Sequence, residues 1–441
     1  MKRKLLKSIS VFGLTLFLLA GCGKKNNIDL PNVGILTKEE NDGEVTFVAA
    51  QKDKDGIVTL TPATGYEAPV ITEEKAGKKQ RERLDVLKAE KNAAGITQTA
   101  IERCMRQQEG RYMYDMMDAR LHSLYAELLL IIKAHAEDIL VSTTDEDDLQ
   151  TTFMCVFQDH PELFWIEGYS YSRYSNQSGK VFSFTFSGKY SYNLEECKKL
   201  QQSVDDWVDK CIWGLPAGAD DYEKVKYAYQ YIIYNTDYVP GARDNQNIIS
   251  VMTNGESVCQ GYAKALQYVL GEMGVPCTMV VGKVKGGEGH AWDLVSINGA
   301  YYYVDPTWGD AGYLSASGLD VSSQGEVNYN YLNVTSDEIA VSHVPDNVVA
   351  MPHCVATEDN YYVHEGRFFS SYDFAALKKL FDEAMHSGGR YVAFKCADND
   401  SYWMCVHMIL EEQEIFNLLP DGVRSVDYTT SDELKVLSFW F

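Results

Sequence analysis

Residues Ser257 to Asp310 read SVCQGYAKALQYVLGEMGVPCTMVVGKVKGGEGHAWDLVSINGAYYYVDPTWGD, and three of them can do chemistry together: Cys259, His290 and Asp305. Cys259 stands just ahead of Ala263, Leu266, Leu270 and Met273, apolar residues at helical spacing. That run ends at Gly274 with Pro276 beyond it, the usual signals for a helix stop. The thiol is therefore expected at a helix N-terminus. Unpaired backbone N–H groups and the helix dipole favour the thiolate there, and the thiolate is the nucleophile.

The other two residues can be placed from the turn between them. Asn298-Gly299 separates two β-rich runs, His290 to Ile297 and Ala300 to Asp305, the strongest short signal for a hairpin with a type I′ turn. A two-residue loop pairs Ile297 with Ala300, so Asp305 falls opposite Trp292 and His290 lies two residues along on the same face. Diagonal neighbours of this kind have Cβ atoms roughly 7 Å apart, within reach of an imidazole and a carboxylate. The carboxylate can orient the imidazole and the imidazole can take the Cys259 proton, which is the logic of a Cys-His-Asp triad.

VCQGYA, GHAW and VDPTWGD, in this order and spacing, resemble the transglutaminase-like superfamily, a branch of papain-type thiol chemistry. The resemblance covers about residues 222 to 312. It implies an α+β core, with the cysteine at the N-terminus of a helix packed on an antiparallel sheet, and it maps the catalytic triad onto Cys259, His290 and Asp305. It also implies a polar side chain near the reacting carbonyl, for which Asn245, Gln246, Asn247 and Gln260 are candidates to assist the Cys259 N–H at an oxyanion. Trp292 and Trp308 are expected as walls of the site. The superfamily includes cross-linking enzymes, peptidases, other amide-cleaving enzymes and inactive members, so the reaction stays open between hydrolysis and transfer to an amine.

At the N-terminus, Lys2, Arg3, Lys4 and Lys7 precede an apolar stretch from Ser8 to Leu19 and the sequence Leu19-Ala20-Gly21-Cys22, which looks like a lipoprotein signal peptide and lipobox over residues 1–22. The expectation is a chain held to the outer side of the cell membrane by lipid on Cys22. Removing the four basic residues of the leader from 40 leaves 36 against 63 acidic, a net −27. Such a surface repels nucleic acid and anionic headgroups, so membrane association would rest on the anchor and nucleic-acid binding is not expected.

Residues 23–78 are rich in Lys, Asn, Asp, Glu and Gly and are read as a flexible tether. Two short β-like runs, Val45 to Ala50 and Ile57 to Thr61, could pair across Lys52 to Gly56. Residues 79–220 form a helical region with an aromatic β-hairpin. Met117 to Ile139 has helical periodicity, with candidate partners at Arg81 to Met105 and Asp145 to Phe157. The hairpin strands are Trp165 to Tyr174 and Val181 to Tyr190. Helices follow at Leu194 to Ile212 and Asp221 to Tyr234, and the transglutaminase-like domain takes 221–344. Residues 345–441 read as a small α/β module, with a helix at Asp373 to Met385 and strands near Tyr391 to Cys396 and Tyr402 to Ile409. His343, His353, Cys354 and His364 match no zinc-ligand spacing; neither metal nor cofactor is expected.

Together these features predict a surface-anchored thiol enzyme acting on peptide or protein amide bonds through an acyl-enzyme, as a peptidase, amidase or transglutaminase. The alternative is a non-catalytic lipoprotein that uses the same cleft to bind a peptide, a protein or a cell-wall component.

Overall fold

The computed structural model describes residues 80–441, apart from positions 177, 311–326, 347, 422, 424 and 425, and four strands ahead of them. The chain divides into two compact units. The first runs from Thr46 to Gly299 and includes Val344–Pro352; the second takes Ala300–His343 and His353–Phe441 with the N-terminal residues up to Val45. The leader, Cys22 and most of the tether lie outside the described residues.

In the first unit the aromatic hairpin forms from Ile166–Ser175 and Val181–Tyr190, with Tyr171 opposite Phe186. Phe184 and Phe186 are buried, and Phe186 packs with Phe153 and Tyr169, so this aromatic face is packed core. Two further strands widen the sheet. Ile139–Val141 pairs antiparallel with the second hairpin strand, and Glu67–Lys75 pairs parallel with the first.

Both added strands depart from the sequence reading. Glu67–Lys75 falls in the segment read as tether. Its β-branched centre, Val70-Ile71-Thr72, is bounded by Pro69 and by Glu73-Glu74-Lys75, and proline and charge are tolerated on an edge strand, which this is. The helix expected to continue to Ile139 is shorter. A 3-10 turn, Ala119–Leu121, leads into the helix His122–Ala134, which His135 ends in the left-handed conformation at φ 49°. Ile139 keeps the helical period but belongs to the strand. The expected partner helix at Arg81 to Met105 is two helices, Gln80–Ala93 and Gln98–Gln108, parted by a turn at Gly95.

Caps account for several other starts. Asp145 accepts from the N–H groups of Asp147 and Asp148, which gives the acidic run a capping role at the helix Glu146–Asp159. Capping boxes at Asn193/Glu196 and Asp220/Glu223 open Leu194–Trp213 and Asp221–Tyr234.

Residues on both sides of position 220 share one core. Ala263 of the cysteine helix (Cys259–Glu272) and Met279, Val281 and Ala291 of the strands after it join the same buried cluster as Leu128, Phe153 and Val156. A polar seam lies beside this core. Gln267 Nε2 donates to the Gln158 carbonyl at 2.7 Å, and the Lys264 ammonium sits 3.4 Å from the centre of the Phe157 ring. Burial pulls Lys264 down to about 7, with the nearby Glu162 opposing the fall.

The second unit holds a five-stranded sheet in the order Asn32–Val33, Asp427–Ser431, Val436–Trp440, Tyr391–Cys396, Phe368–Phe369. The helix Phe374–His386 packs on it through Leu377 and Phe381. The expected strand at Tyr402 to Ile409 is instead the helix Asn399–Val406 running into a wider turn, His407–Glu411. An Asp398/Ser401 capping box starts it, and the buried residues Tyr402, Cys405 and Ile409 recur at the three- and four-residue steps of a helix. No helix among the described residues is long and apolar enough to cross a membrane.

Candidate active site

Cys259 is the first residue of its helix, behind an extended Val258 (φ −124°, ψ −179°) that contributes no side-chain cap. First-turn N–H groups have no partner within their own helix, so a helix start offers them to an anion. The thiol side chain is mostly covered, with 7% of the residue exposed.

Gly261 explains the motif around it. A Cβ at this position would lie 1.9 Å from Ser257 Oγ and 3.0 Å from the Asn245 carbonyl oxygen, so only glycine lets the preceding loop lie against the first turn. The loop is fastened there. Ser257 Oγ and Val258 N–H both donate to the Asn245 carbonyl (3.0 and 3.3 Å), and Gln260 Nε2 donates to the Gln246 carbonyl (2.8 Å). The cysteine is therefore held from its own helix and from the loop.

This arrangement separates the polar candidates. Asn245 Nδ2 donates to the Pro240 carbonyl at 2.6 Å, and Asn247 Oδ1 accepts from the Ile249 N–H at 2.9 Å; both side chains build the loop. Gln246 and Gln260 each keep a buried side-chain oxygen with no hydrogen-bond partner among the described residues. The Gln260 amide nitrogen is committed to the loop, which leaves Gln246 as the carboxamide closest to unspent.

His290 belongs to the strand Gly289–Ile297, which pairs antiparallel with Cys277–Val284 so that His290 lies opposite Gly282. The cysteine helix packs on both strands. Trp292, fully buried, stacks on the His290 ring with 6.0 Å between centres. Burial raises the carboxyl of Glu288, and His290 tempers that rise, so an acidic group of the same unit stands close to this histidine. Asn298 and Gly299 both have positive φ, 52° and 83°, the signs that a type I′ turn requires.

Beyond that turn, Asp305 follows the strand Ala300–Val304 and is fully buried. It caps the short helix Pro306–Gly309: Oδ1 accepts from the N–H groups of Thr307 (2.9 Å) and Trp308 (3.1 Å). Its own N–H donates to the Tyr331 carbonyl at 3.0 Å. Oδ2 meets a residue that the motif analysis did not place, His343, whose Nε2 lies 3.0 Å away. The Trp308 ring packs 4.7 Å from the His343 ring. No spacing rule could have found His343, which stands 38 residues from Asp305.

Burial, reinforced by the Asp293 carboxylate, pushes the Cys277 thiol well above the ordinary value, so its thiolate is scarce at neutral pH.

A transglutaminase-like superfamily family model matches residues 215–306. The human kyphoscoliosis peptidase is 26% identical over 210 residues, 41% of this chain and 31% of that protein, so the matched stretch spans about a third of the relative's length. Among solved structures, a TGase aligns over 32% of this chain and 50% of its own at 13% identity and a TM-score of 0.23. The periplasmic domain of TgpA from Pseudomonas aeruginosa aligns over 32% and 60% at 16% identity and a TM-score of 0.21. Residues 215–306 of this chain are a transglutaminase-like domain.

Proposed function

We propose that this chain is a thiol enzyme acting on peptide or protein amide bonds, with Cys259 as nucleophile, His290 as general base and acid, and Asp305 as the group that orients His290. The observation that carries the reading is Cys259 at the first residue of a helix with no side-chain cap, clamped by the Asn245 to Ser257 loop. The other two roles rest on His290 and Asp305 flanking a turn of type I′ sign.

In the first half-reaction His290 takes the thiol proton and the thiolate attacks the carbonyl carbon, forming a C–S bond and placing negative charge on the carbonyl oxygen. The Cys259 N–H and the Gln246 side chain are the donors assigned to that oxygen. The C–N bond then breaks, His290 returns the proton to the departing amine, and a thioester remains. Water attacking the thioester gives a peptidase or amidase; an amine gives a transglutaminase. We favour water, the direction in which the name of the human relative, a peptidase, also points. The proposal includes a lipid anchor on Cys22 outside the cytoplasm, a reading supported by the basic and apolar run of residues 1–22.

The test needs no substrate. Iodoacetamide labelling of each cysteine in the purified protein is followed by mass spectrometry from pH 4 to 9, for wild type, His290→Ala and Glu288→Gln. Rapid labelling of Cys259 at pH 6, lost in His290→Ala and retained in Glu288→Gln, supports the triad. Labelling of Cys259 no faster than that of an ordinary thiol, whose pKa is roughly 8.5, removes the enzyme reading and leaves the cleft as a binding site. A purified wild type that turns over peptide substrates should lose all turnover in Cys259→Ala.

A further inference from the structure

We propose that His343 is a positioning residue which locks the Asp305 carboxylate in one orientation, so that the orienting acid of the site is an Asp305–His343 pair. The inference rests on the role given to Asp305 above. Both side chains are fully buried. The orienting role given to Asp305 requires an ionised carboxylate, which can only accept, and in that role the 3.0 Å contact between His343 Nε2 and Asp305 Oδ2 is an N–H donated by the imidazole.

The other atoms of the pair are engaged as well. Asp305 Oδ1 holds the Thr307 and Trp308 N–H groups. His343 Nδ1 lies 2.8 Å from Ser342 Oγ, which is itself 3.3 Å from the Tyr331 hydroxyl. The Trp308 and Tyr331 rings border the imidazole, at 4.7 and 5.5 Å between centres. Tyr331 also receives the Asp305 N–H on its carbonyl, so one residue steadies both members of the pair.

Local structure brings His343 into place. Thr335 and Glu338 form a capping box on the short helix Ser336–Ile339, and the Ser342 N–H closes the following turn on the Ile339 carbonyl at 3.1 Å. The Ser342-His343 dipeptide is thereby delivered to the carboxylate.

The arrangement does more than satisfy buried polar atoms. Rotating the carboxylate about its Cβ–Cγ bond out of its present plane would break three hydrogen bonds at once. A carboxylate accepts at about four lone-pair positions, so these three bonds fix the direction from which a fourth donor, His290 in the reading above, is received.

The experiment compares iodoacetamide labelling of Cys259 at pH 6 and pH 8 in the full-length protein for wild type, Asp305→Asn, His343→Leu, His343→Asn and His343→Gln, with folding checked by circular dichroism. Glutamine can present an N–H to Asp305; asparagine is too short to reach. His343→Leu and His343→Asn should slow Cys259 at pH 6 by about tenfold or more, the scale of a misplaced catalytic group, and steepen its pH dependence toward that of an ordinary thiol. His343→Gln should stay within about threefold of wild type on the same scale. Should the leucine variant not fold, the glutamine and asparagine variants carry the comparison. Equal rates in wild type and a folded His343→Asn or His343→Leu overturn the inference, as does a glutamine variant as slow as asparagine. If Asp305→Asn labels like wild type, the role of Asp305 fails and the inference falls with it. Slow Asp305→Asn with unaffected His343 variants sinks the inference alone.

Discussion

His160 and His343 are both buried and each sits beside a carboxylate, yet the two pairs are built differently. In the first unit His160 Nδ1 lies 2.7 Å from Glu162, two residues away, and His160 Nε2 has no partner among the described residues. Glu162 keeps 25% of its side chain exposed and lies 3.6 Å from the Lys133 ammonium. In the second unit the pair is remote in sequence and both partners are sealed, with both imidazole nitrogens of His343 and both carboxylate oxygens of Asp305 engaged. Burial holds His160 down to about 4, with Glu162 opposing the fall, so it is neutral at pH 7. Burial also works against the charge of Glu162, but His160, Arg111 and Lys133 outweigh it and hold that carboxyl at about 2. The lesson is that a histidine–carboxylate contact by itself does not mark a catalytic device. The first pair is a local turn that packs, whereas the second fixes a direction.

The largest test of that contrast is to delete each histidine. His343→Leu strips a sealed carboxylate of its partner and should cost roughly 3–5 kcal/mol, the range for breaking a buried pair. His160→Leu removes a neutral ring whose partner retains Lys133 and water, and should cost only about 1–2 kcal/mol. Urea unfolding at pH 7 measures both, and equal losses would erase the distinction.

Acid sharpens the comparison further. His160 has a folded value depressed from 6.5 to about 4, so the unfolded chain binds the proton first. The stability that this neutral histidine holds is present above pH 6.5 and is lost as pH falls toward 4. Asp159 acts in the opposite sense. Burial raises it to about 6, so the folded chain binds its proton first, and it adds stability as pH falls from 6 toward 3.8. His160→Leu removes the first effect and keeps the second. The gap between variant and wild type should therefore close by on the order of 2–3 kcal/mol between pH 7 and pH 4.5, enough to leave the variant at least as stable. Urea midpoints at the two pH values check this, and a gap that stays constant or widens would show His160 to be charged in the fold.

The smallest effect is expected at the outer end of the second pair. Ser342→Ala takes away the group facing His343 Nδ1 but leaves Nε2 on Asp305. It should cost about 1 kcal/mol by urea unfolding, the net worth of one hydrogen bond. Cys259 labelling at pH 6 should slow less than in His343→Leu. A slowing as large as that variant's would move the positioning role from Nε2 to the serine.

Much of the candidate site was legible because its signals are short-range. The helix start at Cys259 shows in the apolar spacing after it, and the Asn298-Gly299 turn takes the backbone signs that its sequence requires. The failures also have physical causes. Tyr402 to Ile409 is rich enough in aromatic and apolar residues to pass for a strand, and only the Asp398/Ser401 cap and the step of its buried residues reveal the helix. Glu67–Lys75 is a strand because a neighbouring strand receives it, and its own residues signal that weakly. Among Asn245, Gln246, Asn247 and Gln260, composition offered no choice; the choice came from which side chains the loop had already used.

The amino-acid sequence by itself determined the helix start at Cys259 and the turn at Asn298-Gly299, that Gly261 follows a cysteine at a helix start, and that Asp305 precedes a proline-led turn, because each depends on contacts within a few residues. Only the tertiary structure decided that His343 closes on Asp305 and that His160 does not share its design. Those outcomes depend on which distant groups are buried together, where a lone charge is costly and each donor must find an acceptor.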